Sequence, residues 1–293
     1  MTGKTIAANV PAAVRQRLRK LAQERKEDFQ TLLVRFALER LLFRLSISKY
    51  ADQFILKGAM LFQLWFDLPQ RSTRDADFLG FGDAEPKTLA EIFRGLTLMM
   101  LPELVEDGVE FLPDSVRAEP IREAASYPGV RVSMTARLDG ARIPVQCDIG
   151  FGDVVTPAAE STTLPVLLQL PTPILRVYPA ETVIAEKLEA MVKLAGFNSR
   201  MKDYFDLWVL FTRGSLDRKL LPMAVRATFE RRGTELPSDE PTGLGDAFVH
   251  QQQTLWNAFV KRNGLIAPAF AEVVASLRQE CMPLLQAARK ARY

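Results

Sequence analysis

The N-terminal part of the chain places its apolar side chains at the spacing of a helix. In residues 11–26 these positions recur every three or four residues, and Pro11 suits a first helical turn. Residues 28–46 repeat the pattern, with Asp28 as the expected N-cap. The pattern therefore predicts an N-terminal helical arm, which we place at residues 1–50.

From residue 51 the helical period gives way to shorter apolar runs. One run ends at Gly58, and the apolar residues 59–68 predict a helix of about three turns. A further helix is expected over residues 86–101. Strands are predicted at Asp75–Phe81, Val116–Ile121, Val130–Leu138 and Ile143–Phe151. The last two strands flank a compact turn, so we expect an α/β core with antiparallel strands at residues 51–175. Its proline-rich end is interpreted as a connector.

The remainder of the chain, residues 176–293, is predicted to be helical. Its first segment has no internal proline or glycine and alternates charged with aliphatic residues, and four more helical segments follow. A loop rich in Gly, Pro and Ser separates two of them at residues 231–246. The expected organisation is thus a helical arm, an α/β core and a helical C-terminal domain.

Composition supports a globular protein. Hydrophobic residues make up 48% of the 293 residues and charged residues 25%, which is enough apolar material for a core. The formal net charge is only +3, so no overall field indicates a polyanion partner. Positive charge is concentrated in Arg15–Lys26, which on its own is typical of a solvated helix face.

Cysteine and histidine are too scarce for a structural zinc site. The chain has two cysteines and one histidine, which fits a reduced cytoplasmic protein better than a disulfide scaffold. No signal peptide and no run of about 18 apolar residues is found, so we expect no membrane association. Any metal must then be held by carboxylates, which favours Mg²⁺ or Mn²⁺.

Asp75 and Asp77 lie one residue apart on a predicted strand. Residues i and i+2 of a strand share a face, so the two carboxylates would repel each other unless a cation neutralises them. Arg71 or Arg74 would do so in a structural salt bridge, and a divalent metal ion would do so as a ligand pair. The spacing alone leaves both interpretations open.

Asp148 is a third candidate carboxylate. Apolar residues flank it on a strand that should be central, where an unpaired charge is costly. It would either cap the turn at residues 150–152 or join Asp75 and Asp77 in clamping one or two magnesium ions.

Lys57 and Gly58 end a strand that runs directly into the next predicted helix. Such a junction presents backbone N–H groups to an anion, and glycine permits close approach of a phosphate. Lys57 would add a point charge. The junction is equally consistent with a common turn.

Lys187 and Asp206 are the polar residues that stand out in the helical half. Lys187 lies mid-helix, where surface pairs with Glu186 or Glu189 are the simplest interpretation. Asp203, in the first turn of the next helix, is typical of a cap. Asp206 lies deep in an apolar stretch, and capping does not explain it.

Four segments together resemble the AbiEii/AbiGii toxin family, nucleotidyltransferases of bacterial abortive-infection and toxin–antitoxin systems. They are "FILKGAMLFQLW", "RSTRDADFLGFGD", "DIGFGD" and "ETVIAEKLEAMVKLAGFNSRMKDYFDLWVL". The similarity covers residues 12–211 in motif order and spacing. It implies a polymerase-β-like nucleotidyltransferase fold of the α/β (α+β) class, with a mixed or antiparallel sheet, N-terminal helices and a helical C-terminal domain in two lobes.

The resemblance also assigns site residues. It places Lys57 and Gly58 at the nucleotide phosphates, Asp75 and Asp77 at the metal pair, and Asp148 at the third carboxylate. It places Lys187 at the triphosphate, and it makes Lys202, Asp203 and Asp206 a closing K-D-x-x-D motif that acts in catalysis or orients the lysine. One departure is Ala59, where many relatives have glycine or serine, so no serine hydroxyl serves the phosphate.

The function implied is transfer of NMP from an NTP to RNA, with magnesium (or manganese) as cofactor. The resemblance implies a tRNA 3′ end as acceptor and a cognate antitoxin as protein partner. Asp148 or Asp206 would deprotonate or orient the acceptor hydroxyl, and Arg15–Lys26 would contact RNA phosphates. Two alternatives stay open: a metal-dependent nuclease or phosphohydrolase, and a non-enzymatic RNA- or nucleotide-binding regulator.

Overall fold

The computed structural model describes residues 9–66, 73–101, 106–121 and 129–291. Two helices come first, seven strands with two helices among them follow, and helices make up the rest of the described chain. In chain order they are α1 (Val10–Arg25), α2 (Phe29–Ser46), β1 (Phe54–Lys57), α3 (Phe62–Trp65), β2 (Asp75–Gly80), α4 (Pro86–Thr97), β3 (Glu110–Pro120), β4 (Gly129–Leu138), β5 (Ala141–Phe151), β6 (Glu160–Thr163), β7 (Ile174–Val177), α5 (Ala180–Leu194), α6 (Met201–Arg213), α7 (Leu221–Arg232), α8 (Asp246–Asn263) and α9 (Phe270–Lys290).

The two N-terminal helices form where the apolar period predicts them. The Asp28 carboxylate accepts a hydrogen bond of 2.8 Å from the Thr31 N–H, so it is the N-cap of α2, as expected. Every residue of α2 from Leu32 to Leu45 is buried, which makes this helix the centre of the first half of the molecule.

The buried charges of α2 are paired. Arg40 contacts its neighbour Glu39 at 2.8 Å, and Arg44 contacts Asp107 at 2.8 Å. Glu39 also accepts a hydrogen bond of 2.7 Å from the Leu167 N–H. Burial nevertheless dominates at Glu39 and raises its pKa to about 7.

Within the described residues the strands form one seven-stranded sheet in the order β3-β4-β5-β2-β1-β7-β6. Strand β1 pairs antiparallel with β2 and parallel with β7, whereas β2 pairs parallel with β5. Strands β3, β4 and β5 are antiparallel neighbours. The sheet is therefore mixed, which confirms the expected α/β fold class.

The hairpin between β4 and β5 fixes the register of the sheet's centre. Its turn residues Asp139 and Gly140 both have positive φ, 46° and 76°, as tight two-residue hairpin turns require. Leu138 pairs with Ala141, and counting outward from the turn places Arg131 opposite Asp148.

Two expectations were wrong. The region after residue 155 is more than a connector, because β6 and β7 lie in it and extend the sheet. These strands are only four residues long, and β6 is largely exposed, so neither has a clear apolar pattern. The predicted three-turn helix after Gly58 is a short 3₁₀ turn followed by the four-residue α3, and Phe66 is already extended. Residues 67 and 68 of that prediction lie outside the described residues.

The chain divides into two compact units. The first comprises Met1–Met60, Ser72–Gly152 and Ser161–Val177, and the second comprises Leu61–Arg71, Asp153–Glu160 and Tyr178–Tyr293. In the second unit α5 packs on α7, and α9 contacts α6, α7 and α8. Its core is rich in aromatic residues, with the Trp256 and Phe270 rings stacked at 5.2 Å. The three-part division into residues 1–50, 51–175 and 176–293 stays a prediction.

Candidate active site

Three carboxylates meet on the central strands of the first unit. Asp75 and Asp77 lie on the same face of β2, and Asp77 is the parallel-strand neighbour of Asp148 on β5. Each offers an oxygen, and these oxygens lie within 4.8 Å of one another. All three residues are half-buried. We refer to Asp75, Asp77 and Asp148 as the carboxylate trio.

Thr73 and Arg131, which the sequence interpretation missed, hold the trio at short distance, and Gln146 Nε2 donates a longer hydrogen bond of 3.4 Å to Asp148. Thr73 donates its hydroxyl hydrogen bond to Asp75 at 2.7 Å. Arg131 donates from Nε and Nη2 to the two oxygens of Asp148, at 2.9 and 2.7 Å. The hydrogen bond with Asp148 raises the pKa of Arg131, so its charge is fixed. The detectable signal was the hairpin turn, which sets Arg131 opposite Asp148.

These contacts bear on the structural alternatives for the trio. Asp148 pairs with Arg131 rather than capping the turn at residues 150–152. Arg71 lies outside the described residues, and Arg74 is exposed. The trio thus brings three carboxylates together, and an arginine holds one of them, Asp148, in a bidentate contact.

Gly58 lies directly against the carboxylate of Asp77. Its φ is +78°, which disfavours other residues, and a Cβ at this position would lie 2.0 Å from Asp77 Oδ2. The Asp77 carboxylate therefore occupies the space that a side chain would need. Lys57 precedes this glycine and is the antiparallel partner of Asp77 on β1. The structure gives Gly58 a role beside Asp77 that the sequence interpretation had not identified.

The trio has the donor chemistry of a site for a hard divalent cation. Carboxylate oxygens are the ligands that Mg²⁺ and Mn²⁺ prefer, and three of them converge here. Carboxylates brought this close repel one another, and a divalent cation between them would offset that repulsion. The residues present therefore fit a divalent metal ion, although they do not identify which one.

A second charged group lies in the second unit. The ammonium of Lys187 contacts Asp203 Oδ1 at 2.7 Å and Asp206 Oδ2 at 2.8 Å. Arg200 Nε contacts the other oxygen of Asp203 at 2.9 Å. We refer to Lys187, Arg200, Asp203 and Asp206 as the lysine cluster.

The two aspartates of the lysine cluster are buried, and cations neutralise them. The side chains of Asp203 and Asp206 are 3% and 1% exposed, against 14% for Lys187. Burial alone would raise the pKa of Asp203, but the charges of Lys187 and Arg200 outweigh it and hold that pKa below its ordinary value. Asp206 is buried among apolar residues because a lysine neutralises it.

The other predicted partners of Lys187 are used elsewhere. Glu186 and Glu189 contact Arg232, at 3.3 and 2.9 Å. Lys202 is exposed near the start of α6. The structure thus brings together the trio with Gly58 in the first unit, and Lys187 with Asp203 and Asp206 in the second.

None of the helices in the described part of the chain is both long and apolar enough to cross a bilayer.

A family model described as the AbiEii nucleotidyl transferase toxin of type IV toxin–antitoxin systems matches residues 40–276. No curated protein matches the chain.

Two solved structures resemble the chain. JHP933 from Helicobacter pylori is 15% identical, with a TM-score of 0.51 over 90% of this chain and 95% of that one. A second H. pylori protein, described as a candidate nucleotidyltransferase, is also 15% identical, with a TM-score of 0.46 over 91% of this chain and 99% of that one. At this identity the likeness to JHP933 concerns the fold alone.

Proposed function

The chain belongs to the AbiEii family of nucleotidyl transferase toxins from type IV toxin–antitoxin systems, and from this premise we propose that it transfers NMP from an NTP to RNA with Mg²⁺ as cofactor. The acceptor we propose is the 3′ end of a tRNA. Membership in this family establishes the nucleotidyltransferase class of the enzyme and implies a nucleotide substrate and an antitoxin partner. It also favours transfer over the nuclease and the non-enzymatic alternatives.

The convergence of the carboxylate trio is the observation that carries the proposal. Three carboxylate oxygens within 4.8 Å of one another, with one arginine beside them, form a site that a divalent cation would complete. In transferases of this chemistry the metal activates the attacking hydroxyl and stabilises the leaving pyrophosphate.

The residues of the first unit would then divide the work. Asp75 and Asp77 hold the metal, and Gly58 leaves room for the Asp77 carboxylate. Lys57, beside that glycine, attracts the phosphates. Asp148 would complete the site and orient the acceptor hydroxyl. The hydroxyl oxygen would form a bond to the α-phosphorus as the bond to pyrophosphate breaks, and its proton would pass to the Asp148 carboxylate.

The residues of the second unit would serve the triphosphate. We propose that Lys187 contacts it, with Asp203 and Asp206 fixing the ammonium in place. Because Asp206 is 1% exposed and bound to Lys187, we assign it to orienting that lysine rather than to proton transfer from the acceptor. Lys202, exposed near the start of the same helix, adds positive charge for phosphate.

The basic face of α1 would contact the RNA backbone. Arg17, Arg19, Lys20 and Lys26 are exposed there. Such contacts release counterions, so binding of RNA should weaken steeply as salt rises.

The test is a transfer assay with purified protein, Mg²⁺, each labelled NTP in turn and total bacterial tRNA. We expect one or more of the NTPs to label RNA, and Asp75→Asn and Lys187→Met to abolish the label. Asp83→Asn is the matched control, because Asp83 is exposed after the same strand and bonds only locally to Thr88 and Glu85.

Two outcomes would contradict the proposal. One is RNA labelling by Asp75→Asn at the wild-type rate, which would remove the trio from catalysis. The other is RNA cleavage without NTP consumption, which would favour the nuclease.

A further inference from the structure

In the turn between α5 and α6, two neighbouring side chains have exposures opposite to those expected from their polarity. Phe197 is 94% exposed, whereas Asn198 is fully buried. A soluble fold normally buries the aromatic ring and exposes the amide. We call Ala195–Lys202 the α5–α6 turn.

This arrangement is held by specific contacts. The buried Asn198 accepts a hydrogen bond of 2.9 Å from the Arg200 N–H through its side-chain oxygen. Ala195 has a φ of 46° and a ψ of −129°, a conformation that L residues rarely adopt. Strained backbone of this kind is concentrated at functional sites, because the surrounding structure must maintain it. These contacts therefore hold the backbone of the turn in the conformation that leaves the Phe197 ring exposed.

Two exposed lysines flank Phe197 in sequence. Lys193 and Lys202 both lie within five residues of it, whereas Arg200 is paired with Asp203. The nearby carboxylates of Asp203 and Asp206 are buried and neutralised. An accessible aromatic face beside exposed cations is the combination that binds single-stranded nucleic acid, since bases stack on the ring while cations contact phosphates.

An unpaired RNA strand suits this surface better than a free nucleotide does. Sites for small molecules are concave and cover most of their ligand, whereas Phe197 protrudes into solvent. A polymer is held by contacts along its backbone and can add one stacked base at an open position. Lys193 and Lys202 are separate cations, as contacts to more than one phosphate of a strand require.

We propose that the α5–α6 turn binds the unpaired end of the acceptor RNA, with Phe197 stacked on a base and Lys193 and Lys202 against the phosphates. The assignment of the ligand rests on the proposed function. To that function the inference adds that the acceptor RNA is single-stranded at its bound end and that Phe197 recognises this end.

The experiment measures binding of two fluorescein-labelled RNAs by anisotropy at fixed salt. One is a blunt duplex, and the other is the same duplex with a four-nucleotide unpaired 3′ overhang. Wild-type protein should bind the overhang RNA more tightly. Phe197→Ala should weaken that binding by about tenfold, the scale of losing one base–aromatic stack, and leave the blunt duplex unchanged.

Two further variants sharpen the comparison. Phe197→Trp should keep the preference for the overhang, and its indole emission should be quenched by the overhang RNA. Ile266→Ala is the control, because Ile266 is 93% exposed in the same unit and lacks an aromatic face. It should bind both RNAs as wild type does.

Three results would overturn the inference. They are overhang binding unchanged in Phe197→Ala, equal weakening for both RNAs, and weakening only of the binding of free NTP. The assay requires no catalysis, so it stands apart from the transfer test. Transfer by wild type with no effect of Phe197→Ala on binding would refute this inference alone, whereas absence of transfer with any NTP would refute the proposed function.

Discussion

The carboxylate trio and the lysine cluster use the same residue type in opposite ways. In the trio, three half-buried aspartates lie within reach of one another, with one arginine in a bidentate contact. In the lysine cluster, two almost fully buried aspartates share a lysine, and one of them also contacts an arginine. The aspartates of the first group are partly accessible, whereas those of the second are enclosed and paired with cations.

This difference separates carboxylates that would bind a ligand themselves from carboxylates that hold a lysine in place. A buried carboxylate without compensation is expensive, so the lysine cluster must be complete to be stable. Partly solvated carboxylates tolerate mutual repulsion better, and they keep an affinity for an external cation. The same Asp→Asn change should therefore affect activity in one group and stability in the other.

Among changes near the trio that leave its three aspartates intact, Gly58→Ala should reduce activity most. The added Cβ would lie 2.0 Å from Asp77 Oδ2, so the carboxylate must move. A displacement of this size at a reacting centre costs about 100-fold in rate. The control is Gly140→Ala, where φ is +76° and nothing lies within 4 Å of a Cβ. If both variants lose the same activity in the transfer assay, strain rather than displacement of Asp77 is responsible.

Asp206→Asn should destabilise the protein by about 3 kcal/mol, because it removes one partner of a buried ion pair. Asp75→Asn should leave stability unchanged or raise it, because it relieves repulsion within the trio. Urea unfolding curves of both variants measure this difference. Equal destabilisation by the two would show that the two groups do not differ as described.

Arg131→Gln should reduce activity about tenfold or more, as is typical when a group that orients a metal ligand is lost. Its control is Arg137→Gln on the same strand, where the arginine is 47% exposed and reaches Glu110 only at 3.9 Å. A wild-type rate for Arg131→Gln would mean that the bidentate contact does not position Asp148.

The smallest effect is expected for the pH dependence of stability. It concerns Glu39, a buried carboxylate whose partners offset the cost of burial less fully than those of Asp203 do. The pKa of Glu39 is about 7, above its ordinary value of 4.5, so between these values the folded protein binds more protons than the unfolded chain. Stability from this group is therefore complete below about pH 4.5 and declines as pH rises through about 7. Glu39→Gln should flatten this decline in urea midpoints recorded from pH 5 to 7.5, and an unchanged slope would contradict the assignment.

Much of the fold follows from local sequence signals. Asp28 marks the start of α2 because its carboxylate suits the first turn, and Asp139–Gly140 marks the hairpin because both positions adopt positive φ. The same turn would have located Arg131, since counting back along the hairpin leads to the residue opposite Asp148. Strands β6 and β7 were missed because a strand of four residues is too short to show a recognisable alternation of apolar and polar positions.

The candidate sites, like the fold, were predictable from local sequence only in part. Alternation on β2 predicts that Asp75 and Asp77 share a face, and an apolar environment singles out Asp206. The partners of these residues come from elsewhere in the chain: Lys187 lies 16 and 19 residues before its two aspartates. Nothing local predicts that Asn198 is buried and Phe197 exposed, because that inversion depends on how the turn packs in three dimensions.

Binding of Mn²⁺ to the protein without nucleotide, followed by electron paramagnetic resonance, tests the central claim most directly. The account predicts that wild type binds Mn²⁺, that Asp75→Asn and Asp77→Asn lose this binding, and that Asp203→Asn, if folded, retains it. Mn²⁺ bound equally well by Asp77→Asn and wild type would contradict the account, as would loss of binding in a folded Asp203→Asn.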